Sequence, residues 1–248
     1  MKFSVFQTSQ IGGRKRNEDR MGYTYSKSAA IFLVADGLGG HPDGDVASQL
    51  GLQVVMAKFR DQANPTLDHV ARFMTEAMTE VHENLIAYAV SHCMTDTPST
   101  TMVVVVVQDG LAYLGHCGDS RGYLIRRSQV LTRTQDHSLL VRDGGSRADS
   151  GSGLPSRHTL FSCLGASNVP FIEVAEPVPL CFGDRLLLCS DGLWGSVSES
   201  DIVQAMQDTK VAEATTALVN LALHKGGPRG DNVTALTVRW EEPDNPPG

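Results

Sequence analysis

The chain has few cysteines, few basic residues and no long hydrophobic run. Its five cysteines, at positions 93, 117, 163, 181 and 189, are an odd number without a close pair, so neither a disulfide framework nor a structural zinc site is expected. Acidic residues outnumber basic ones by 28 to 21, and the net charge of -7 argues against nucleic acid or an anionic membrane as partner. The longest apolar runs, Ala29 to Ala35 and Met102 to Val107, are far shorter than the roughly 20 residues that cross a bilayer.

Length and composition indicate one domain. With 248 residues, of which 41% are hydrophobic, the chain can bury a sizeable core. We expect the domain to cover residues 1–240 and the proline-rich segment 241–248 to be a disordered tail. The first residues are too short and too polar for a signal peptide, so a cytoplasmic location is expected.

Apolar runs and turn residues predict groups of strands interrupted by pairs of helices. Strands are predicted at 29–35, 100–107, 111–117, 121–125, 186–189 and 233–240, and helices at 43–59, 64–88, 199–206 and 211–224. Asp109-Gly110 is typical of a hairpin turn. This order favours antiparallel sheets covered by helices over a regular βαβ repeat. The Gly-, Ser- and Arg-rich segment 143–156 predicts a surface insertion.

The most informative pattern is a set of acidic residues at the ends of apolar runs. They lie in Asn17-Glu18-Asp19, Asp36-Gly37-Leu38-Gly39-Gly40, Gly118-Asp119-Ser120, Ser190-Asp191-Gly192 and Gly230-Asp231-Asn232. A carboxylate at the mouth of a buried strand is costly to desolvate unless positive charge compensates it. Carboxylates that converge from distant segments repel one another, and a divalent cation relieves that repulsion. Because the candidate ligands are oxygens, the pattern predicts a hard metal such as Mg²⁺ or Mn²⁺.

Each Asp-Gly pair also has a simpler interpretation as a turn, and Asp109-Gly110 and Asp143-Gly144 are best explained in that way. Asp36-Gly37 differs because more glycines follow, which lets backbone approach a ligand closely. Asp191-Gly192 differs because a buried strand leads into it. The joint occurrence of these pairs with Asp231 is harder to explain by turns alone.

A basic cluster, Arg14-Lys15-Arg16, directly precedes the first acidic motif. It could be a solvated loop. Alternatively, one guanidinium holds a phosphate at two points while the neighbouring Glu18 helps to hold metal. A phosphate ester would then lie between arginine and metal, which is the arrangement that metal-assisted phosphoryl transfer to water requires.

Five of these motifs, in this order, resemble the successive motifs of the metal-dependent protein phosphatases, the protein phosphatase 2C family, and of its bacterial-type serine/threonine phosphatases in particular. The resemblance extends over residues 9–240. It implies an α+β fold of four layers, an α-β-β-α sandwich in which two packed antiparallel sheets are flanked by helices, with a flap-like insertion at about 136–165. The matching motifs are Arg14-x-x-Asn17-Glu18-Asp19, Val34-Ala35-Asp36-Gly37-Leu38-Gly39-Gly40-His41, Gly118-Asp119-Ser120-Arg121-Gly122, Ser190-Asp191-Gly192-Leu193 and Gly230-Asp231-Asn232-Val233-Thr234.

The resemblance also implies two core metal ions, Mn²⁺ or Mg²⁺, at the edge of the sandwich. Asp36 would bridge both ions, and the Gly37 carbonyl would complete one coordination shell. Asp191 and Asp231 would bind the other ion, while Glu18 would act directly or through water. The implied nucleophile is a water between the metals, so no covalent enzyme intermediate is expected.

Further roles follow from the same resemblance. Asp119, together with Asp191, matches the position of a third, weaker ion in bacterial-type members. Arg14 matches the arginine that binds the phosphate, and it is a candidate catalytic residue beside the metal ligands Asp36 and Asp231. Asp19 would lie behind the metal ligands without binding metal itself, and Asn232 would orient the loop that carries Asp231.

The motifs depart from the family pattern after the first Asp-Gly pair. Many members carry a histidine there, whereas this chain has Leu38, so their histidine general acid is not matched. His41 lies close in sequence and is given no such role. The flap-like segment is also rich in glycine and serine.

The expected function is hydrolysis of phosphoserine and phosphothreonine on proteins, in opposition to a bacterial-type serine/threonine kinase and by a monomeric enzyme. Two alternatives stay open. The chain could be a catalytically inactive relative that binds phosphoproteins, which loss of metal-ligand positions would mark; all the expected carboxylates are present. It could also be a metal-dependent phosphatase of small phosphate esters.

Overall fold

The structure is a computed structural model, and it describes residues 1–38, 43–138, 159–207 and 210–241. The predicted insertion at 143–156 lies outside the described residues, as does all of the predicted tail except Glu241. Within the described part of the chain, no helix is long and apolar enough to cross a membrane.

Two antiparallel sheets form the centre of the molecule. The first sheet has five strands in the order β1 (Phe3–Gln10), β11 (Val233–Trp240), β10 (Arg185–Cys189), β6 (Arg121–Arg126) and β7 (Gln129–Arg133). The second sheet has six strands, and its path runs through β2 (Asp19–Tyr25), β3 (Ala29–Asp36), β4 (Met102–Gln108), β5 (Leu111–Cys117) and β8 (Glu173–Val174), with β9 (Val178–Pro179) also paired to β5.

Helices cover the outer face of each sheet. The second sheet packs against α1 (Gly44–Gln62) and α2 (Val70–Ser91). The first sheet packs against α3 (Asp191–Trp194), α4 (Glu199–Ala205) and α5 (Val211–Gly226). The four layers are therefore helix, sheet, sheet and helix, which confirms the expected α-β-β-α sandwich.

Strand β3 shows why its sequence is a continuous apolar run. Phe32 and Val34 lie in the core between the two sheets, whereas Ile31 and Leu33 lie in the core between the second sheet and its helices. Because both faces of the strand are covered, every side chain from Ala29 to Ala35 is buried. The strand reaches solvent only at its end, where Asp36 follows.

Two local predictions differ from the structure. The helix predicted from position 64 begins at Val70, because the segment before it is held against the end of β4: the Leu67 amide donates to Gln108 Oε1 at 2.8 Å, and Gln108 Nε2 donates to the Leu67 carbonyl at 3.0 Å. The helix predicted from position 43 begins at Gly44, because Asp43 has a φ of 56°, outside the right-handed helical region, and its side chain makes no capping hydrogen bond. The Asp109-Gly110 hairpin is confirmed, with both residues at positive φ.

The strand registers bring the acidic motifs to one end of the sandwich. Asp36, at the end of β3, is opposite Asp19, at the start of β2. In the first sheet, Cys189 at the end of β10 is opposite both Ala235 near the start of β11 and Arg121 at the start of β6. The residues that flank these strand ends therefore share one edge.

Candidate functional site

A cleft of about 340 Å³ opens at this edge of the sandwich. Five carboxylate side chains that the sequence analysis singled out line it, although they come from five separate segments. The lining consists of Arg14, Glu18, Asp36, Gly37, Leu38, Asp119, Leu160, Asp191 and Asp231. The two remaining candidates, Asp19 and Asn232, are buried directly behind the lining residues.

The backbone around Asp36 is held rigidly by the neighbouring segments. Its carbonyl accepts hydrogen bonds from the Thr101 amide at 2.8 Å and from Thr100 Oγ1 at 2.9 Å. The next residue, Gly37, donates its amide to the Glu18 carbonyl at 3.1 Å. A Cβ atom at Gly37 would lie 2.1 Å from the Gly44 carbonyl oxygen, so this close approach requires glycine. The first acidic motif and the Asp36-Gly37 turn are thus fixed to each other.

Asp19 lies behind Asp36 and is only 2% exposed. Ser190 Oγ donates to Asp19 Oδ2 at 2.7 Å, and the Thr234 amide donates to the same serine oxygen at 3.1 Å. The other carboxylate oxygen, Oδ1, is buried without a hydrogen-bond partner among the described residues. Asp19 therefore links the strands of both sheets directly beneath the cleft.

Burial and mutual repulsion disfavour the ionised forms of these carboxyl groups. Burial raises the pKa of Asp36 well above its usual range, and the charges of Asp19, Asp191, Asp119 and Asp231 raise it further. Burial likewise raises the pKa of Asp19 to about 6. A cluster of oxygen donors that cannot all be ionised together is well suited to a hard divalent cation, which would compensate their charge.

Glu18 is positioned through its backbone by Asn232. The Glu18 amide donates to Asn232 Oδ1 at 2.8 Å, and Asn232 Nδ2 donates to the carbonyls of Ile11 and Arg16 at 2.8 and 2.9 Å. One buried amide side chain therefore ties the whole first loop to the loop of Asp231. Burial raises the pKa of Glu18, with the charge of Asp45 as the next largest cause.

Arg14 lies at the rim of the cleft. Its Nη2 atom is 2.5 Å from Asp231 Oδ2, and its side chain is 49% exposed. The guanidinium is thus aimed at the acidic lining from the solvent side. It provides the positive charge that an anionic substrate needs in an otherwise acidic cleft.

Asp119 and Asp191 are linked by an aromatic residue that the sequence analysis missed. Trp194 lies on α3, the short helix that begins at Asp191, and its Nε1 donates to the Asp119 carbonyl at 2.9 Å. Arg121 stacks 3.6 Å above the Trp194 ring and makes a two-point ion pair with Asp136 at 2.8 and 2.7 Å. These contacts connect both aspartates to the first residue of the flap-like segment.

The sequence analysis assigned no role to Ser190 and Thr234, although both lie in its motifs, and it missed Thr101. Ser190 and Thr234 follow the alternation of Leu188 and Leu236, which face the core between the sheets. Polar residues at such inward positions are a usable signal, because they must find hydrogen-bond partners inside the protein. Here the Ser190 hydroxyl donates to Asp19 and accepts from the Thr234 amide, and the Thr234 hydroxyl is hydrogen-bonded to the Ser9 hydroxyl.

The structure describes only some of the positions at which the sequence departs from the family pattern. Leu38 lines the cleft, so an apolar side chain occupies the place after the first Asp-Gly pair. His41 lies outside the described residues. Of the flap-like segment, the described ends meet each other, because Ser138 and Leu160 form an antiparallel bridge.

A second group with metal-ligand chemistry lies apart from the cleft lining. Ligand atoms of His116, His137 and Glu173 lie within 4.8 Å of one another. His137 Nδ1 accepts a hydrogen bond from the Gly118 amide at 3.2 Å, so the neutral ring carries its proton on Nε2, which is 3.8 Å from Glu173 Oε2. His116 Nε2 donates to the Gln135 carbonyl at 2.6 Å. These hydrogen bonds favour a structural role over metal binding.

Comparison with known proteins identifies the family. The model of the family described as Protein phosphatase 2C matches residues 6–225. The chain belongs to the protein phosphatase 2C family. It is 30% identical over 239 residues to Serine/threonine phosphatase stp of Listeria monocytogenes, a match that covers 94% of this chain and 94% of that protein.

Two further matches concern the phosphatase PstP. The chain is 34% identical over 229 residues to Serine/threonine protein phosphatase PstP of Mycobacterium tuberculosis, which covers 91% of this chain and 42% of that protein. The crystal structure of the catalytic domain of PstP in complex with two manganese ions has a TM-score of 0.79 and 30% identity, and the match covers 97% of this chain and 99% of that one. In fold, this chain is similar to the catalytic domain of a phosphatase in complex with two manganese ions.

Proposed function

We propose that this chain is a metal-dependent phosphatase that hydrolyses phosphoserine and phosphothreonine on proteins. The observation that carries the proposal is the cleft in which five carboxylates from separate segments face one arginine. Metal ions would compensate the carboxylates, and the arginine would hold the phosphate. The named activities of the relatives support the same reaction.

The residues of the cleft fit two core metal ions. Asp36 would bind both, with the Gly37 carbonyl beside one of them and with Asp191 and Asp231 beside the other. Glu18 would contribute directly or through water. When bound, such ions supply Lewis acidity and lower the pKa of a coordinated water. Asp19 and Asn232 would keep the ligands in place, because their hydrogen bonds tie together the segments that carry them.

Arg14 would bind the phosphate of the substrate. A planar guanidinium makes two-point contacts with phosphate oxygens. In the structure it contacts Asp231 from the exposed rim, so it can turn to an incoming phosphate without leaving a buried charge unpaired. In this proposal, Arg14 orients the phosphate and stabilises its negative charge.

Asp119 and Asp191 would hold a third, weaker ion. The Trp194 indole N–H donates to the main-chain carbonyl of Asp119, and Asp119 lines the cleft. An ion bound by fewer protein carboxylates and more waters dissociates more readily. Mn²⁺ and Mg²⁺ both take oxygen ligands, so this set of ligands suits either metal.

The substrates that we propose are phosphorylated proteins, including a serine/threonine kinase and its targets. An acidic chain with a net charge of -7 disfavours nucleic acid as substrate. The complete set of carboxylates disfavours an inactive phosphoprotein-binding relative. A cytoplasmic location and a monomeric state are part of the proposal.

The proposal is tested by comparing substrates at a fixed Mn²⁺ concentration. Phosphate release is measured from a phosphothreonine peptide, the matched phosphoserine and phosphotyrosine peptides, and a nucleoside monophosphate. The expected kcat/KM for the phosphothreonine and phosphoserine peptides exceeds that for the nucleotide by a factor of about 10 or more, since each good polar contact to the peptide contributes about a factor of ten. A preference for the nucleotide would support the alternative phosphatase of small esters.

A further inference from the structure

A tryptophan behind the cleft connects the segments that carry Asp119 and Asp191. Trp194 is the last residue of α3, the one-turn helix that begins at Asp191, and its Nε1 atom donates to the main-chain carbonyl of Asp119 at 2.9 Å. Trp194 and its neighbour Arg121 are not among the described residues that line the cleft. The tryptophan therefore joins the two aspartates from behind, without lining the cleft itself.

The segment of Asp119 is tightly fixed on its other side. Gly118 has a φ of 106°, and a Cβ atom there would lie 2.7 Å from the Thr101 side chain, so this position requires glycine. The Gly118 amide donates to His137 Nδ1 at 3.2 Å, and its carbonyl accepts from the His137 amide at 3.0 Å. These contacts anchor the residue before Asp119, whereas the hydrogen bond from Trp194 acts on Asp119 itself.

Helix α3 is held in place by the loop of Asp231. A Cβ atom at Gly192 would lie 2.0 Å from the Asn232 carbonyl oxygen, so the helix packs directly against that loop. The next residue, Leu193, is fully buried in the core between the first sheet and its helices. Because the helix is fixed in this way, the hydrogen bond from Trp194 limits how far the two aspartates can move apart.

The Trp194 ring is held in turn by Arg121. The guanidinium carbon of Arg121 lies 3.6 Å from the ring centroid, within the range of a cation–π contact. The same guanidinium makes a two-point ion pair with Asp136 at 2.8 and 2.7 Å, and both side chains of this pair are largely buried. A two-point contact fixes the plane of a guanidinium as well as its position. Since Arg121 follows Asp119 by two residues, the ring and its N–H are both tied to the same segment.

We propose that Trp194, supported by Arg121, is a positioning residue that sets the affinity of the third-ion site of Asp119 and Asp191. The inference rests on the proposed function, which assigns these two aspartates to a weak third ion. Two carboxylates bind one cation well only at a suitable separation. Contacts that orient metal ligands change metal affinity by about 10- to 100-fold.

The effect of Trp194 should be selective for the third ion. The segments that carry the core ligands are tied together by the hydrogen bonds of Asp19 and Asn232, neither of which involves the tryptophan. Asp191 stays in place through the packing of α3. Loss of the Trp194 hydrogen bond therefore releases Asp119, which in the proposed function binds only the third ion.

The test is calorimetric titration of Mn²⁺ into the unsubstituted protein and into Trp194→Phe. Phenylalanine keeps an aromatic ring beside Arg121 but lacks the N–H donor. The dissociation constant of the weak binding event should rise by a factor of about 10, while the tight events are unchanged.

The matched control is Trp240→Phe, which removes the other tryptophan of the chain. Trp240 lies at the end of β11, about 23 Å along the strand from Val233 at the cleft end. This substitution should leave every binding event unchanged.

Tryptophan fluorescence gives a second readout, which a general loss of stability does not reproduce. In Trp240→Phe, Trp194 is the only tryptophan of the chain. Because Mn²⁺ is paramagnetic, an ion close to the indole quenches its emission. A step of quenching should coincide with the weak binding event, and it should be absent when Asp119→Asn is added to the same variant.

The inference is overturned if Trp194→Phe leaves the weak event unchanged, or if it weakens the tight events by the same factor, because the latter result indicates a general loosening of the cleft. Tight events without any weak event in the unsubstituted protein would overturn the inference and leave the proposed core ions intact. Absence of every binding event would contradict the proposed function as well.

Far-ultraviolet circular dichroism verifies that each variant is folded. If Trp194→Phe does not fold, Arg121→Lys takes its place, because lysine keeps the charge but loses the planar stacking and the two-point contact. It should also weaken the third ion selectively, and an unchanged weak event in Arg121→Lys would overturn the inference equally.

Discussion

Asp19 and Asp36 lie directly opposite each other on the antiparallel strands β2 and β3. By the alternation of β3, the side chain of Asp36 projects to the same side as Phe32 and Val34, which is the core between the sheets. Two carboxyl groups thus meet at the mouth of an apolar core. Burial raises the pKa of both, and the charge of Asp19 raises the pKa of Asp36 further. The fold therefore holds, at its edge, a pair that is unfavourable without a cation.

The first prediction is that Asp36→Asn stabilises the metal-free protein. A carboxyl group whose pKa is raised on folding binds its proton more tightly when folded, so its contribution to stability is lost as pH rises through the raised pKa. In chelator at pH 8, Asn at this position should increase the free energy of unfolding by about 1 to 2 kcal/mol. Urea unfolding measures it.

The control for this substitution is Asp109→Asn, which changes the same type of Asp-Gly pair in an exposed hairpin turn. It should leave the free energy of unfolding within about 0.5 kcal/mol of the unsubstituted protein. If Asp36→Asn lowers the free energy of unfolding in chelator, the Asp19–Asp36 pair does not destabilise the metal-free protein, and the prediction is wrong.

The second prediction concerns Arg14. Arg14→Ala should raise KM for a phosphopeptide and lower kcat, by a combined factor of about 100 or less in kcat/KM, because a charged two-point contact to phosphate is lost. Arg14→Lys should recover only part of this loss, since an ammonium cannot make the planar contact. Steady-state kinetics with a phosphothreonine peptide, and metal titration by calorimetry, measure the two effects.

Lys15→Ala is the matched control, because Lys15 is exposed and belongs to the same basic cluster. It should have nearly unchanged kinetics. If Arg14→Ala itself has unchanged kinetics, Arg14 does not bind the phosphate. It would then be a residue of a solvated loop that pairs only with Asp231.

The third prediction separates the core ions from the proposed third ion. Asp119→Asn keeps the size of the side chain and the hydrogen bond from Trp194 to the main-chain carbonyl. It should abolish one weak binding event in calorimetry while the tight events persist, and it should reduce turnover of peptides. Loss of all metal binding would show that Asp119 is a ligand of the core site.

The fourth prediction is a pH effect at His137, which lies beside the flap-like segment. Burial lowers its pKa from 6.5 to about 3. Between these values the unfolded chain binds a proton that the folded chain does not, so stability should fall as pH falls through that window, by up to about 1.4 kcal/mol per pH unit. His137→Asn, which does not titrate, should remove this part of the slope.

Urea unfolding of the unsubstituted protein and of His137→Asn, at several pH values between about 4.5 and 7.5, measures how the free energy of unfolding of each depends on pH. The nearby groups Glu173 and His116 are present in both proteins, so their titration largely cancels. Identical slopes would mean that His137 takes up its proton over the same pH range in the folded and the unfolded protein, so that burial does not lower its pKa.

The central strands and the acidic edge could be predicted from the sequence. Strand β3 is apolar throughout because both of its faces are buried, and Asp36 marks the point at which it leaves the core. Charged residues at the ends of buried strands are informative, because burying a charge is costly unless another group compensates it. For the same reason the motifs around Asp191 and Asp231 could be recognised.

The outer strands and the supporting hydrogen bonds could not be predicted. Strand β1, Phe3–Gln10, lies at the edge of the first sheet, where its side chains are mostly half-buried and its sequence lacks a clear alternation. Trp194 acts on Asp119 across 75 positions of sequence, and Ser190 acts on Asp19 across 171. Such contacts depend on strand register, which the local sequence does not specify.

The most direct measurement is the initial rate of phosphate release from a phosphothreonine peptide, first in chelator and then after addition of Mn²⁺ or Mg²⁺. Chelator should abolish the rate and metal should restore it, both in the unsubstituted protein and in Asp109→Asn. Asp36→Asn should remain slower by a factor of about 100 or more after metal is added, because the cleft would lack its bridging ligand. Full activity in chelator, or an unchanged rate for Asp36→Asn, would contradict a metal-dependent reaction in this cleft.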